Sequence, residues 1–215
     1  MMAAGKVKRA QTAGEELANT LSHGFGAVLA LGGAIPLVVR AAMSGSAKAV
    51  FSLAAYGISL VVLYTASTVY HAVKRPSLKA VLRVMDHCSI FLLILGTYIP
   101  MSLLVVGGRT GWMLFLTNST LAVIGITLNA VDLNRFDKVS LVLYALMGWL
   151  VVVALRAIVA ALPPLGLGLL VAGGLAYTAG IVFYKSQRRY AHFIWHLFVL
   201  AGSILQYFCI ALYCV

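Results

Sequence analysis

Residues 84–106 read VMDHCSIFLLILGTYIPMSLLVV. One carboxylate, Asp86, and one histidine, His87, stand near the start of the run, and nothing after them carries a charge. At about 1.5 Å per residue, such a run wound as a helix crosses the ~30 Å hydrocarbon core of a bilayer. Six similar runs flank it, at about 21–43, 48–72, 112–131, 139–160, 163–183 and 191–214. The gaps between them are short, with no inserted soluble domain, internal repeat or low-complexity tract. The pattern predicts an all-α membrane protein. Residues 1–15 read as a polar cytoplasmic tail and residues 16–215 as a seven-helix transmembrane domain.

Composition points the same way. The chain is 62% hydrophobic and 10% charged, whereas a soluble domain carries roughly 25% charged residues. A mean hydropathy of +1.01 leaves more apolar surface than a water-soluble fold can bury. The net charge of +11 would suit a nucleic-acid partner, but the basic residues fall in the gaps between apolar runs. That distribution excludes nucleic acid and makes membrane lipid the partner. Cys88, Cys209 and Cys214 all lie in apolar runs and form no disulfide framework, so they read as core or lipid-facing residues. Lys6, Lys8 and Arg9 precede the first run and no small-residue cleavage site follows it, so it reads as a retained span.

Charge also predicts orientation. With a cytoplasmic N-terminus, the inner segments hold Lys6, Lys8, Arg9, Lys74, Arg75, Lys79, Arg83, Arg135, Lys138, Lys185, Arg188 and Arg189, twelve in all. The outer segments hold Arg40, Lys48, Arg109 and Arg156, only four. This bias places the N-terminus inside and, with seven spans, the C-terminus outside. The same topology puts His23, His71, His87, His192 and His196 at the cytoplasmic ends, together with Asp86. Lysine and arginine alone set the topology, so the clustering of histidines is a separate result.

Three motifs carry chemistry. In His192-Phe-Ile-Trp-His196 the histidines are at i and i+4, stacked on one helix face where both can meet one metal. The face continues through Val199, Ser203 and Gln206; the plainer reading is a pair of interfacial histidines. Ser67 and His71 repeat the i, i+4 spacing, with the hydroxyl one turn deeper; a serine bonding back to its own helix is the plainer reading. Asp86 and His87 point about 100° apart and cannot aim at one centre. Asp86 shares its face with the small residues Ser89, Gly96 and Thr97 and is assigned inward; alternatively it pairs with Arg83 at the surface. Three histidines with an open position describe a catalytic zinc site. Phe193 stands where the HExxH metalloproteases have glutamate, so a base must come from another helix, with Asp86 as candidate. Ser67 could bond the water or a developing oxyanion.

The set Glu16-x-x-Asn19-x-x-Ser22-His23, Ser67-x-x-x-His71, Asp86-His87 and His192-x-x-x-His196 resembles the bacterial haemolysin III proteins. These belong with the progestin and adipoQ receptors, the adiponectin receptors included. Gly96-Thr97-Tyr98-Ile99-Pro100 and Met147-Gly148-Trp149 support the match, which runs from about residue 15 to the C-terminus. The resemblance implies seven spans in a bacterial inner (plasma) membrane, with Zn2+ held by His71, His192 and His196. It implies Asp86 beside the attacking water and Ser67 in the serine place of the related alkaline ceramidases, which hydrolyse amides. Glu16, Asn19 and His23 match the first motif and are expected to back the site or gate it. The function expected is a zinc-dependent hydrolase whose substrate is a lipid amide or ester at the inner leaflet. The alternatives are a membrane sensor or homeostasis protein with structural zinc, a cytolysin, or a structural membrane protein with scattered histidines.

Overall fold

The computed structural model describes residues 9–214. Among them there is no strand. Helix α1 spans Ala13–Met43, α2 Ala47–Ala72 and α3 Pro76–Pro100; α3 continues as a π-helical stretch, Met101–Val106. Helix α4 spans Gly108–Trp149, a 3-10 stretch Leu150–Ala154 leads to α5, Leu155–Ala161, and α6 and α7 span Pro164–Tyr184 and Ala191–Tyr213. Among the described residues, six helical segments are long and apolar enough to cross a membrane: α1, α2, Pro76–Val106, Gly108–Ala161, α6 and α7. The protein is an all-α membrane protein.

The segment Gly108–Ala161 covers two of the runs read from the sequence. Its helix is broken at Asp132, whose backbone is extended at φ −159°, ψ 93°. The Asp132 carboxylate accepts from the Arg135 amide at 3.0 Å, as a helix N-cap does. Asn118 Nδ2 donates to the Met147 carbonyl at 3.3 Å, although 29 residues of straight helix would hold them about 43 Å apart. Ser140 Oγ donates to Asn129 Oδ1 at 2.5 Å, and Asn129 Nδ2 donates to Tyr144 Oη at 3.4 Å. The chain therefore reverses at Asp132, and the two legs of α4 lie antiparallel, bridged by buried amides.

Other boundaries follow local chemistry. Helix α1 begins at Ala13, inside the stretch read as tail, because Thr12 and Glu15 form a reciprocal capping box. Pro100 lacks an N–H and its ring crowds the preceding turn, and the π-helical stretch starts directly after it. Gly107 at φ 63° and Gly108 at φ 52° then turn the chain into α4, a left-handed geometry that glycine adopts without a Cβ penalty.

The main core joins α1, α2 and α7 around Leu37, Leu53, Tyr56, Leu60, Tyr64 and Ile210. A second, smaller core packs Phe91 of α3 against Ala122 and Met147 of the α4 hairpin. Small residues set the approach of these helices. A Cβ on Gly125 would collide with the Phe91 ring, and one on Gly26 would lie 2.5 Å from the Tyr64 ring. Large apolar side chains on α4, α5 and α6 face outward, as in Val131, Leu155 and Leu165, where hydrocarbon takes the place of water.

Gly125→Val forces the Phe91 ring out of its site, an overpacking that costs about 1–3 kcal/mol or more. The expected outcome is a fall of several degrees in the thermal midpoint of detergent-solubilised protein, read by intrinsic fluorescence. Val131→Leu, at an outward position, leaves the midpoint unchanged.

Candidate metal centre

Three helix faces, from α1, α2 and α7, converge near one end of the bundle. From α1 come Glu16, Asn19, Ser22 and His23, spaced at three to four residues and so on one stripe. Helix α2 brings His71, with Ser67 one turn away on the same face, and α7 brings His192 and His196. His71, His192 and His196 each present one ring nitrogen, all within 4.8 Å of one another. Nitrogens around a tetrahedral zinc sit about 3.3 Å apart, given Zn–N bonds of ~2.0–2.1 Å, and modest ring rotations close the difference. His71 and His196 are buried and His192 is half-buried. This cluster can hold a metal ion.

The hydrogen bonds assign the tautomers of two rings. His71 Nδ1 lies 2.7 Å from Glu16 Oε2. A carboxylate accepts, so Nδ1 carries a proton, and in the neutral ring Nε2 keeps its lone pair. The other Glu16 oxygen meets Lys79 Nζ at 3.0 Å. The Ser22 hydroxyl donates to the Asn19 carbonyl at 3.0 Å, which spends its only hydrogen. Ser22 Oγ must then accept from His196 Nδ1, 3.2 Å away. His71 Nε2 and His196 Nε2 are buried and have no hydrogen-bond partner among the described residues. An N–H fixed on a carboxylate or hydroxyl, with the opposite nitrogen left bare, is how metal-bound histidines are held. The residues present fit a metal.

A family model described as "Haemolysin-III related" matches residues 11–207. "Hemolysin-3" of Bacillus cereus is 40% identical over 200 residues, covering 93% of this chain and 91% of that protein. "Hemolysin-3 homolog" of Bacillus subtilis (strain 168) is 37% identical over 202 residues, 94% of this chain and 95% of its own. The chain belongs to the haemolysin-III-related family. At a greater distance, "Monocyte to macrophage differentiation factor" of Homo sapiens is 32% identical over 171 residues, 72% of this chain and 67% of that one. This haemolysin III protein is a multi-pass integral membrane protein of the plasma membrane.

The remaining residues singled out in the sequence fall around the histidines. His23 stacks on His196 with centroids 3.5 Å apart and planes 10° off parallel. It also meets Tyr64 edge-on at 5.0 Å, and neither of its ring nitrogens has a hydrogen-bond partner among the described residues. Asn19 Nδ2 donates to Gln11 Oε1 at 2.7 Å and lies 3.4 Å from His71 Nδ1. Ser67 is buried with no partner for its hydroxyl among the described residues; it is Thr68 that bonds back to its own helix, at 2.6 Å to the Tyr64 carbonyl. Asp86 is buried on α3 but its oxygens are not among the atoms that meet at the three histidines. No Asp86–Arg83 ion pair is present among the described residues; Arg83 donates to Asn134 Oδ1 at 2.9 Å.

Sequence reasoning singled out the three histidines but assigned no role to Ser22, Gln11 or Lys79. Ser22 stands inside the first motif, yet only the packing of α1 on α7 shows that it meets His196. His87 is buried as well as Asp86, because α3 is covered on both faces: the hairpin lies against it, and the Tyr144 hydroxyl donates to the His87 carbonyl at 2.8 Å.

Two variants separate a ligand from its support. His196→Ala is expected to abolish metal retention, measured by mass spectrometry of the purified, dialysed protein. Glu16→Gln keeps the shape but weakens the hold on His71 Nδ1, and a loss of 10–100-fold in metal affinity is expected. An unchanged affinity in Glu16→Gln would show that the carboxylate does not support the ligand.

Proposed function

We propose that this protein is a zinc-dependent hydrolase acting on a lipid amide or ester at the inner leaflet. His71, His192 and His196 are the ligands in this reading. The observation that carries it is the convergence of three histidines, each with a ring nitrogen within 4.8 Å of the others; His71 and His196 are anchored at Nδ1, and their Nε2 atoms have no hydrogen-bond partner among the described residues. Three protein nitrogens leave a tetrahedral ion one open position, the arrangement of catalytic rather than structural zinc. The donor set suits zinc, for which imidazole is a preferred ligand. When bound, zinc supplies Lewis acidity, polarising a carbonyl and making a water acidic near neutral pH.

The chain's own residues take the other roles. Asp86 is the general base that receives the proton of the attacking water. The Ser67 hydroxyl, one turn deeper than His71, donates to the oxyanion that develops on the scissile carbonyl. Glu16 keeps His71 Nδ1 protonated, and Asn19 and His23 hold the α1 side of the site.

The topology proposed with it is seven spans, N-terminus inside and C-terminus outside. The chain reversal at Asp132 supports seven crossings, since it divides Gly108–Ala161 into two antiparallel legs of membrane-spanning length. The twelve-to-four distribution of Lys and Arg supports the orientation. A second reading, a sensor or homeostasis protein with zinc as a clamp, draws support from the way the cluster ties α1, α2 and α7 together. The name "Hemolysin-3" belongs to the Bacillus cereus relative; for this chain a pore is the least supported reading, since acidic groups are scarce within its spans.

Purified, metal-loaded protein in lipid is expected to release fatty acid from at least one of a panel of ceramides, phospholipids and N-acyl amino acids. His196→Ala and Asp86→Ala should each reduce that release at least 100-fold, read by mass spectrometry of the free acid. A folded, zinc-loaded preparation inert on the whole panel, but losing thermal stability on chelation, favours the clamp. For topology, Ser46→Cys in a cysteine-free background should react with a membrane-impermeant maleimide added to intact cells, and Ser186→Cys should not. The reverse pattern would invert the orientation.

A further inference from the structure

Glu15 adjoins Glu16 in sequence but serves a different neighbour. It is 3% exposed, and its carboxylate gathers donors from three places. Thr12 approaches Oε2 with its amide at 2.9 Å and its hydroxyl at 3.0 Å. The Arg9 guanidinium donates to Oε2 at 2.9 Å and also to Oε1. The third partner is distant in sequence: the Tyr190 amide donates to Oε1 at 2.8 Å.

Tyr190 is the residue that opens α7. Its backbone is left-handed, φ 58°, ψ 7°, and among the described residues it is the only non-glycine with positive φ. A side chain in that region costs about 1–2 kcal/mol, so a partner must hold it there. Glu15 holds its N–H, and Gly14 makes room for its ring: a Cβ on Gly14 would lie 3.1 Å from the Tyr190 hydroxyl. Arg9 adds a second tie to the same turn, its amide donating to Gln187 Oε1 at 3.0 Å and its Nε to the Gln187 carbonyl at 3.3 Å. His192 follows two residues after Tyr190. The helix that starts under this latch therefore carries two of the three metal-site histidines.

We propose that Glu15 is a positioning residue of the metal centre. Its carboxylate latches the left-handed Tyr190 turn to the start of α1, and so sets the rotation of the His192–His196 face of α7 relative to His71 on α2. The inference rests on the metal reading above. A ring nitrogen lies roughly 6–7 Å from its helix axis, so about 10° of rotation displaces it by about 1 Å. Metal–ligand distances tolerate about ±0.2 Å. Relaxation of Tyr190 into the right-handed region is thus enough to spoil the site without unfolding the bundle.

The test uses the full chain in lipid nanodiscs, with zinc affinity measured by chelator competition and the ligand field read from the visible absorption of the Co2+-loaded protein. Glu15→Ala is expected to weaken zinc binding 10–100-fold and to change the Co2+ band. Ser46→Ala removes the capping hydroxyl of α2, beyond the opposite end of α1, and leaves the latch on Tyr190 intact; it should lower thermal stability and keep affinity within twofold of wild type. A role confined to capping α1 predicts instead that both variants lose stability and neither changes affinity or spectrum, and that result overturns the proposal. If Glu15→Ala does not fold, Glu15→Gln carries the test: it retains an oxygen for the Tyr190 amide but loses the charge, and a several-fold loss of affinity is expected. Affinity within twofold of wild type overturns the proposal there too. A wild type that binds neither ion brings down the metal reading and this inference together, whereas a metal-binding wild type with unaffected Glu15 variants brings down this inference alone.

Discussion

A backbone N–H or C=O left without a partner in hydrocarbon costs several kcal/mol, and water is not there to supply one. The architecture of this protein follows from that constraint. Its apolar runs wind into helices, because a helix pairs its backbone within itself. The places where the ladder breaks are each repaired locally. Asp132 caps the second leg of the α4 hairpin, Pro100 is followed by a π-helical stretch, and Tyr98 Oη receives the Val151 amide at 2.7 Å where the 3-10 stretch begins. The same rule governs side chains. Asn118 and Asn129 are buried, and each finds an acceptor across the hairpin it helps to close.

The histidine cluster concentrates buried polar atoms that have no hydrogen-bond partner among the described residues: His71 Nε2, His196 Nε2 and both ring nitrogens of His23. Glu16 and Ser22 satisfy one nitrogen each of His71 and His196, and both partners come from α1. A helix that contributes none of the three clustered histidines therefore decides which nitrogen faces inward. Helix α1 is packed against both α2 and α7, so orienting the rings and closing the bundle are one event. The Glu15 latch belongs to the same logic, since it acts at the first turn of α1 and the first turn of α7.

Much of this was legible in the sequence. The seven apolar runs correspond to helical stretches, and the i, i+4 pair His192/His196 on α7 lies together with His71 on α2, more than a hundred residues away. The first apolar run starts at about 21, and helix α1 begins eight residues before it, at Ala13. The T-x-x-E capping box at Thr12–Glu15 was present as a signal, but the polar composition of the stretch suggested a tail. Two expected runs merged into the continuous segment Gly108–Ala161, because a single extended residue at Asp132 suffices to turn the chain there.

The sequence by itself determined that the chain is a helical membrane protein and singled out the three histidines that cluster. Hydrophobic run length and i, i+4 spacing are local properties, and a helix converts them into faces without help from its neighbours. Tertiary structure alone decided which faces meet. It set Ser22 against His196, turned His71 Nδ1 toward Glu16, stacked His23 on His196, buried both Asp86 and His87 on α3, and bound Tyr190 to Glu15. Each of these depends on how one helix is rotated against another, and that rotation comes from packing between residues far apart in the chain, which no spacing along it encodes.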